Sequence, residues 1–145
     1  LTLEPKIEPC FHADSYGYCP GKSAVEAVGK VRERCWRYNW VIDLDIKGFF
    51  NNLDHDLLKL ALEKHIPEKW EILYIVRWLK ALVQQPDRRL IKQVKGTPRG
   101  GVISPLLENL YLHYAMDEWL RIKYPHTPFE RYADDRAQRM REAPD

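Results

Sequence analysis

The sequence predicts an α+β domain, a small antiparallel sheet packed against helices, and three observations carry that prediction. Short β-rich segments occur near 40–46, 90–95 and 129–135. Amphipathic stretches at helical spacing lie between them. Two of these stretches, 55–65 and 68–84, follow one another directly, unlike the strict strand–helix alternation of a parallel sheet. At 145 residues, 45% hydrophobic and 30% charged, the chain suits one domain and can bury a core.

Taken in order, residues 1–22 read as loop, with Pro5, Pro9 and Pro20 and the turn-rich "SYGYCPGKS". From Ser23 to about Tyr38, Ala24, Val28, Val31 and Cys35 recur at helical spacing. "WVIDLDI" (40–46) alternates, with Ile42, Leu44 and Ile46 on one face and Val41, Asp43 and Asp45 on the other. Asp54 can cap a helix to about His65, and Glu68 to Gln84 forms a second helix on Trp70, Leu73, Val76 and Leu79. "RLIKQVK" is a short strand ending at the break "GTPRGG". Ser104 and Pro105 start another helix, because proline at the first helical position gives up no intrahelical bond. It should pass Leu107, Leu110, Tyr111 and Tyr114 and end near Tyr124. "FERYADD" (129–135) closes the pattern as strand and turn.

A net charge of +2 argues neither for nor against a polyanionic partner, although Arg88, Arg89, Lys92, Lys95 and Arg99 crowd one stretch. Cys10, Cys19 and Cys35 have no CxxC spacing and leave one unpaired, which points to a reducing, cytoplasmic setting without a disulfide or zinc framework. No apolar run approaches the ~18 residues of a membrane span, and no signal peptide is visible, so no membrane partner is expected. The first residue is Leu1 rather than Met, which suggests a piece of a longer chain.

The chemistry concentrates on aspartates. Asp45 ends one strand, and Asp134 and Asp135 end another 89 residues later. Were these strands neighbours, three carboxylates would meet at one sheet edge, a costly arrangement unless cations bind there. Hard oxygen donors of this kind suit Mg²⁺, which retains waters and completes its shell with substrate phosphates. Two such ions could stabilise both oxygens of an in-line phosphoryl displacement. Ordinary strand-end turns use the same residues, and spacing alone does not choose between the readings. "GYCPGKS" is not a P-loop, since only three residues separate Gly17 from Gly21. His55 and His65 lack partners at metal spacing and are expected on helix surfaces. Trp36, Trp70, Trp78 and Trp119 are expected in or beside the core.

Four strings in order go further: "SYGYCPGKSAVEAV" (15–28), "DIKGFFNNLDHDLL" (45–58), "GTPRGGVISPLLENLYLHYAMD" (96–117) and "RYADD" (131–135). They resemble consecutive blocks of a reverse transcriptase, most closely the group II intron-encoded kind, across roughly residues 11–135. The resemblance implies a partial palm, with 1–39 as a fingers–palm junction, 40–135 as the palm core and 136–145 as an atypical charged tail. It implies that Asp45 binds both metals with the Ile46 carbonyl as a further contact, that Asp134 is the second metal-binding aspartate, and that Asp135 is an auxiliary acid. Two Mg²⁺ ions are implied, with Mn²⁺ as a substitute. Phe49 takes the place of an aromatic under the incoming sugar, where it would exclude a 2′-hydroxyl. Pro98, Arg99 and Gly100 match the loop beneath the nascent base pair. Lys22, Arg88, Arg89, Lys92 and Lys95 become candidates for nucleic-acid phosphate.

The implied partners are an RNA template, a DNA or RNA primer, deoxynucleoside triphosphates and group II intron RNA. Cys19 and Arg99 depart from the arginine and glutamine usual at those positions. The charged "RAQRMREAPD" replaces an apolar strand, so the returning strand of the aspartate hairpin is expected to have little to bury. The family's basic fingers blocks would precede residue 1, and the thumb would follow residue 145. These residues are therefore not expected to polymerise alone. An RNA-binding maturase element, a decayed fragment and a diversity-generating or defence-associated enzyme are the competing readings.

Overall fold

The computed structural model describes residues 3–84, 87–98, 101–133 and 135–140, the last six by their backbone. In chain order the elements begin with α1 (Glu4–Ile7), a 3₁₀ turn (Glu8–Cys10), α2 (Ala24–Cys35), β1 (Trp40–Asp45), α3 (Phe49–Asn52), α4 (His55–Glu63) and α5 (Lys69–Leu79). There follow β2 (Leu82–Gln84), β3 (Leu90–Lys92), α6 (Ser104–Leu112), a π-helical turn (His113–Asp117), α7 (Glu118–Lys123), β4 (Phe129–Tyr132) and β5 (Asp135–Met140). They fall into two compact units, one of residues 1–9 and 48–111 and the other of residues 10–47 and 112–145.

In the first unit α4 packs against α5. Asp54 caps α4 as its sequence position predicts, its Oδ1 accepting from the Asp56 and Leu57 amides at 2.9 and 3.0 Å. Leu58, Ala61 and Leu62 of α4 and Ile72, Ile75 and Leu79 of α5 are buried at three- and four-residue spacing. The buried face of α5 is thus turned from the expected one: Leu79 is buried and Val76 half-buried as predicted, but Trp70 and Leu73 are exposed. Glu71 lies inside instead, which its ion pair with Lys6 at 3.0 Å makes tolerable. The helix also stops at Leu79 rather than Gln84, because β2 pairs with β3 as a separate two-stranded sheet. The segment expected near 90–95 therefore pairs locally, where closing a short loop costs less entropy than joining a distant sheet.

The second unit holds a three-stranded antiparallel sheet of order β1-β5-β4. Its central strand is β5, the start of the charged tail, which returns beside β4. Main-chain ladder bonds on both edges do not depend on side-chain polarity, so a charged sequence can occupy the middle of a narrow sheet. Packing against β4 and β5, α2 starts with a reciprocal Ser23–Glu26 capping box. Only Ala27 of α2 is buried, whereas Val28 and Cys35 are exposed, contrary to the face expected from periodicity. Trp36 and Trp119 are exposed and Trp78 is half-buried. Among the described residues no helix is long and apolar enough to cross a membrane.

Candidate metal centre

The second unit carries the acidic residues. Asp45 is the last residue of β1, exposed, and stands directly opposite Asp135 in the antiparallel register. Residues opposite one another in such a ladder share a face of the sheet. Ile46 follows β1 and is half-buried. Asp134 lies outside the described residues, and among those described no three His, Cys, Asp or Glu side chains form a metal cluster.

The turn between β4 and β5 has an unusual backbone. Ala133 sits at φ 56°, a left-handed conformation that costs a residue with a Cβ roughly 1–2 kcal/mol. The preceding strand supplies its restraint. Arg131 Nη1 donates to the Ala133 carbonyl at 2.9 Å. The other side of the same guanidinium engages Asp117 through Nε at 3.1 and 3.2 Å and Nη2 at 2.8 Å. Both side chains are fully buried. Asp117 closes the π-helical turn, where Glu118 N–H bonds back to the His113 carbonyl. Such i→i+5 bonding shifts the phase of the helix face relative to a regular α-helix.

The "SYGY" loop braces the turn from outside the strand. The Tyr16 amide donates to Arg131 O at 2.8 Å, and the Arg131 amide donates to Asp14 O at 3.0 Å. Gly17 lies so close to the Ala133 amide that a Cβ there would overlap the backbone, which explains the glycine. Arg34 fastens the same layer by donating to Asp14 Oδ2 at 2.8 Å and Glu130 Oε1 at 2.7 Å. Burial alone would lower the Arg34 pKa, but these two carboxylates outweigh it and hold it above its ordinary value. Lys22 donates to the Ala13 and Ser15 carbonyls at 2.6 and 2.8 Å, closing the loop on itself. Cys19 donates to Gly17 O at 3.5 Å.

The other candidates belong to the first unit. Phe49 is buried, its ring centroid 5.9 Å from that of Tyr111. Pro98 is half-buried, and Arg99 and Gly100 lie outside the described residues. The loop leading to Pro98 is tied at several points. Gly96 N donates to Leu53 O at 2.7 Å and Thr97 N to Phe50 O at 2.9 Å. His55 Nε2 meets Gly96 O at 2.7 Å, and buried Thr97 bonds to buried Glu108. His55 is therefore a buried loop anchor rather than a helix-surface residue. Lys95 donates to Asn52 Oδ1 at 2.8 Å. Arg88, Arg89 and Lys92 are exposed, Arg89 beside Asp87 at 3.3 Å.

Sequence reasoning missed Arg131, Asp117, Gly17 and His55. Arg131 carried a signal, since a charge in a short strand next to the acidic pair needs a partner if it is buried.

A small antiparallel sheet packed against helices is the architecture of a polymerase palm. The fold agrees: the chain is similar to apo telomerase from Candida tropicalis truncated of its C-terminal domain, at TM-score 0.66 and 15% identity, covering 97% of this chain and 32% of that one. Residues 2–138 match the family described as reverse transcriptase (RNA-dependent DNA polymerase), and the chain belongs to that family. It is 34% identical over 113 residues to the group II intron-encoded protein LtrA of Lactococcus lactis, covering 78% of this chain and 19% of LtrA. It is also 32% identical to protein YkfC of Escherichia coli, covering 86% of this chain and 33% of that protein. The chain thus spans about a fifth of the length of LtrA.

Proposed function

We propose that this chain is the catalytic palm of a group II intron-encoded reverse transcriptase. In the whole protein it would extend a DNA or RNA primer with deoxynucleotides on an RNA template. The observation that carries this reading is the pairing of Asp45 with Asp135 at one register position of the sheet, Asp134 being the residue next to Asp135 in sequence. Asp45, Asp134 and the Ile46 carbonyl would hold two Mg²⁺ ions, or Mn²⁺ in their place, with Asp135 as an auxiliary acid. When bound, the ions supply charge stabilisation for in-line displacement at the α-phosphate.

The chain's own residues do the rest by position. The bond formed joins the primer 3′-oxygen to the α-phosphorus, and the bond broken releases pyrophosphate. Phe49 would exclude a 2′-hydroxyl, and Pro98, Arg99 and Gly100 would support the new base pair. Exposed Arg88, Arg89, Lys92 and Lys95 would meet nucleic-acid phosphate in a salt-dependent manner. Lys22 serves first to close its loop, with phosphate contact as a second role. Group II intron RNA is the proposed partner and the cytoplasm the proposed setting. A Mn²⁺ titration of the 145-residue chain, followed by electron paramagnetic resonance, tests the reading. Saturable binding lost in Asp134→Ala supports it, and equal binding by both proteins refutes it.

A further inference from the structure

Resting on the palm reading, the geometry points to Arg131, locked to Asp117, as the positioning residue that sets the aspartate turn. Arg131 divides its guanidinium between two tasks. The Nε–Nη2 edge is held by both oxygens of Asp117, and the remaining Nη1 reaches forward two residues to Ala133 O. A guanidinium is planar, so fixing one edge fixes the direction of the third donor. The carbonyl it holds belongs to the left-handed residue immediately before Asp134.

Three independent features show that this arrangement acts on the turn and does not merely fill the core. First, an ion pair buried for stability alone would need nothing from Ala133, and burying a charge pair is weak evidence of stability in itself. Second, the acceptor sits on the π-helical turn, a local departure from regular helix that coincides with Asp117. Third, the preceding peptide, Tyr132–Ala133, is backed by Gly17, where a Cβ would overlap the Ala133 amide. Ala133 is thus held on both sides of its Cα, through its carbonyl by Arg131 and at its amide by Gly17. Two residues later the chain enters β5, where Asp135 stands opposite Asp45 in the register. A rotation about Ala133 would change how the chain is fed into β5, and with it the register position that Asp135 shares with Asp45.

Lysine at 131 keeps the charge beside Asp117 but cannot hold both partners in one rigid plane. Arg131→Lys is therefore the informative variant, with Gly17→Ala as a second that leaves the buried pair intact. Both are compared with wild type and Asp45→Ala at a temperature where circular dichroism shows each folded. Two readouts are taken: the amide and carbonyl chemical shifts of Ala133 without metal, and Mn²⁺ affinity. The expected result is a displaced Ala133 resonance in both variants and affinity weaker by about 10–100-fold, the usual effect of losing a group that orients metal ligands.

An unmoved Ala133 resonance in folded Arg131→Lys overturns the inference whatever the metal does. Unchanged Mn²⁺ affinity in both folded variants, with affinity lost in Asp45→Ala, overturns it while leaving the palm reading intact. Equal affinity in wild type and Asp45→Ala refutes the palm reading instead, and the metal-free Ala133 shifts then decide whether Arg131 sets the turn.

Discussion

The loop at Gly96–Pro98 and the turn at Ala133 solve the same problem in different ways. Each is a short connection whose backbone must hold one shape, and each includes a positive-φ residue, Gly96 at 83° and Ala133 at 56°. In the first, main-chain bonds from Gly96 and Thr97 do most of the holding, and His55 adds one contact to a carbonyl. In the second, a buried charge pair reaches the turn carbonyl through a side chain. Restraint shared among backbone bonds degrades gradually when one side chain is lost. Restraint concentrated in one guanidinium does not.

The largest expected effect follows from that concentration. Arg131→Ala strands the Asp117 carboxylate in the interior and should cost about 3–5 kcal/mol, a large share of the stability of an ordinary domain. Urea denaturation measures it, and a loss below ~1 kcal/mol would show that water reaches Asp117. Next comes Gly96→Ala, which adds a Cβ 2.5 Å from Phe50 O at a backbone angle that only glycine adopts freely. It should cost more than about 1 kcal/mol in the same assay. His55→Ala leaves the Gly96 carbonyl without that partner and should cost about 1–3 kcal/mol, with Gly96 retaining its bond to Leu53. An equal or greater loss than in Arg131→Ala would erase the contrast between the two regions.

The smallest effects are electrostatic and chemical. Hydrogen bonding to Lys6 holds the Glu68 carboxyl below its ordinary range, so this contact helps above the unfolded carboxylate pKa and fades as acid protonates Glu68. Bonding to Glu68 and Glu71 raises the Lys6 pKa, so its share is present below the unfolded amine pKa and lost as pH climbs through the folded one. Salt should weaken this half-buried pair, and Lys6→Met should reduce the salt dependence of the melting temperature. Burial pushes the Cys10 thiol up to about 11, so at pH 8 iodoacetamide should label exposed Cys35 well before Cys10.

Much of this architecture was legible because it is local. The Asp54 cap, the helix start at Ser104 and the strand beginning at Trp40 follow from residue type and spacing. What failed depended on distant partners. The buried face of α5 was misplaced because Glu71 is made tolerable inside by Lys6, some sixty residues earlier. The pairing of β3 was misassigned because β2 had been absorbed into the helix before it. That the charged β5 would pair on both edges was not legible, because side-chain polarity hides the bonding capacity of a backbone. Among the proposed site residues, the aspartates stood out as a motif, while the buried pair that holds their turn joins two distant segments no periodicity connects.

The most direct test of the register itself is a Mg²⁺ titration monitored by nuclear magnetic resonance at the Asp45 and Asp135 amides. If the two residues face one ion site, both resonances should shift with a single apparent dissociation constant, and Asp45→Ala should abolish the shift at Asp135. Different constants at the two positions, or an Asp135 shift that survives in Asp45→Ala, would contradict the shared site.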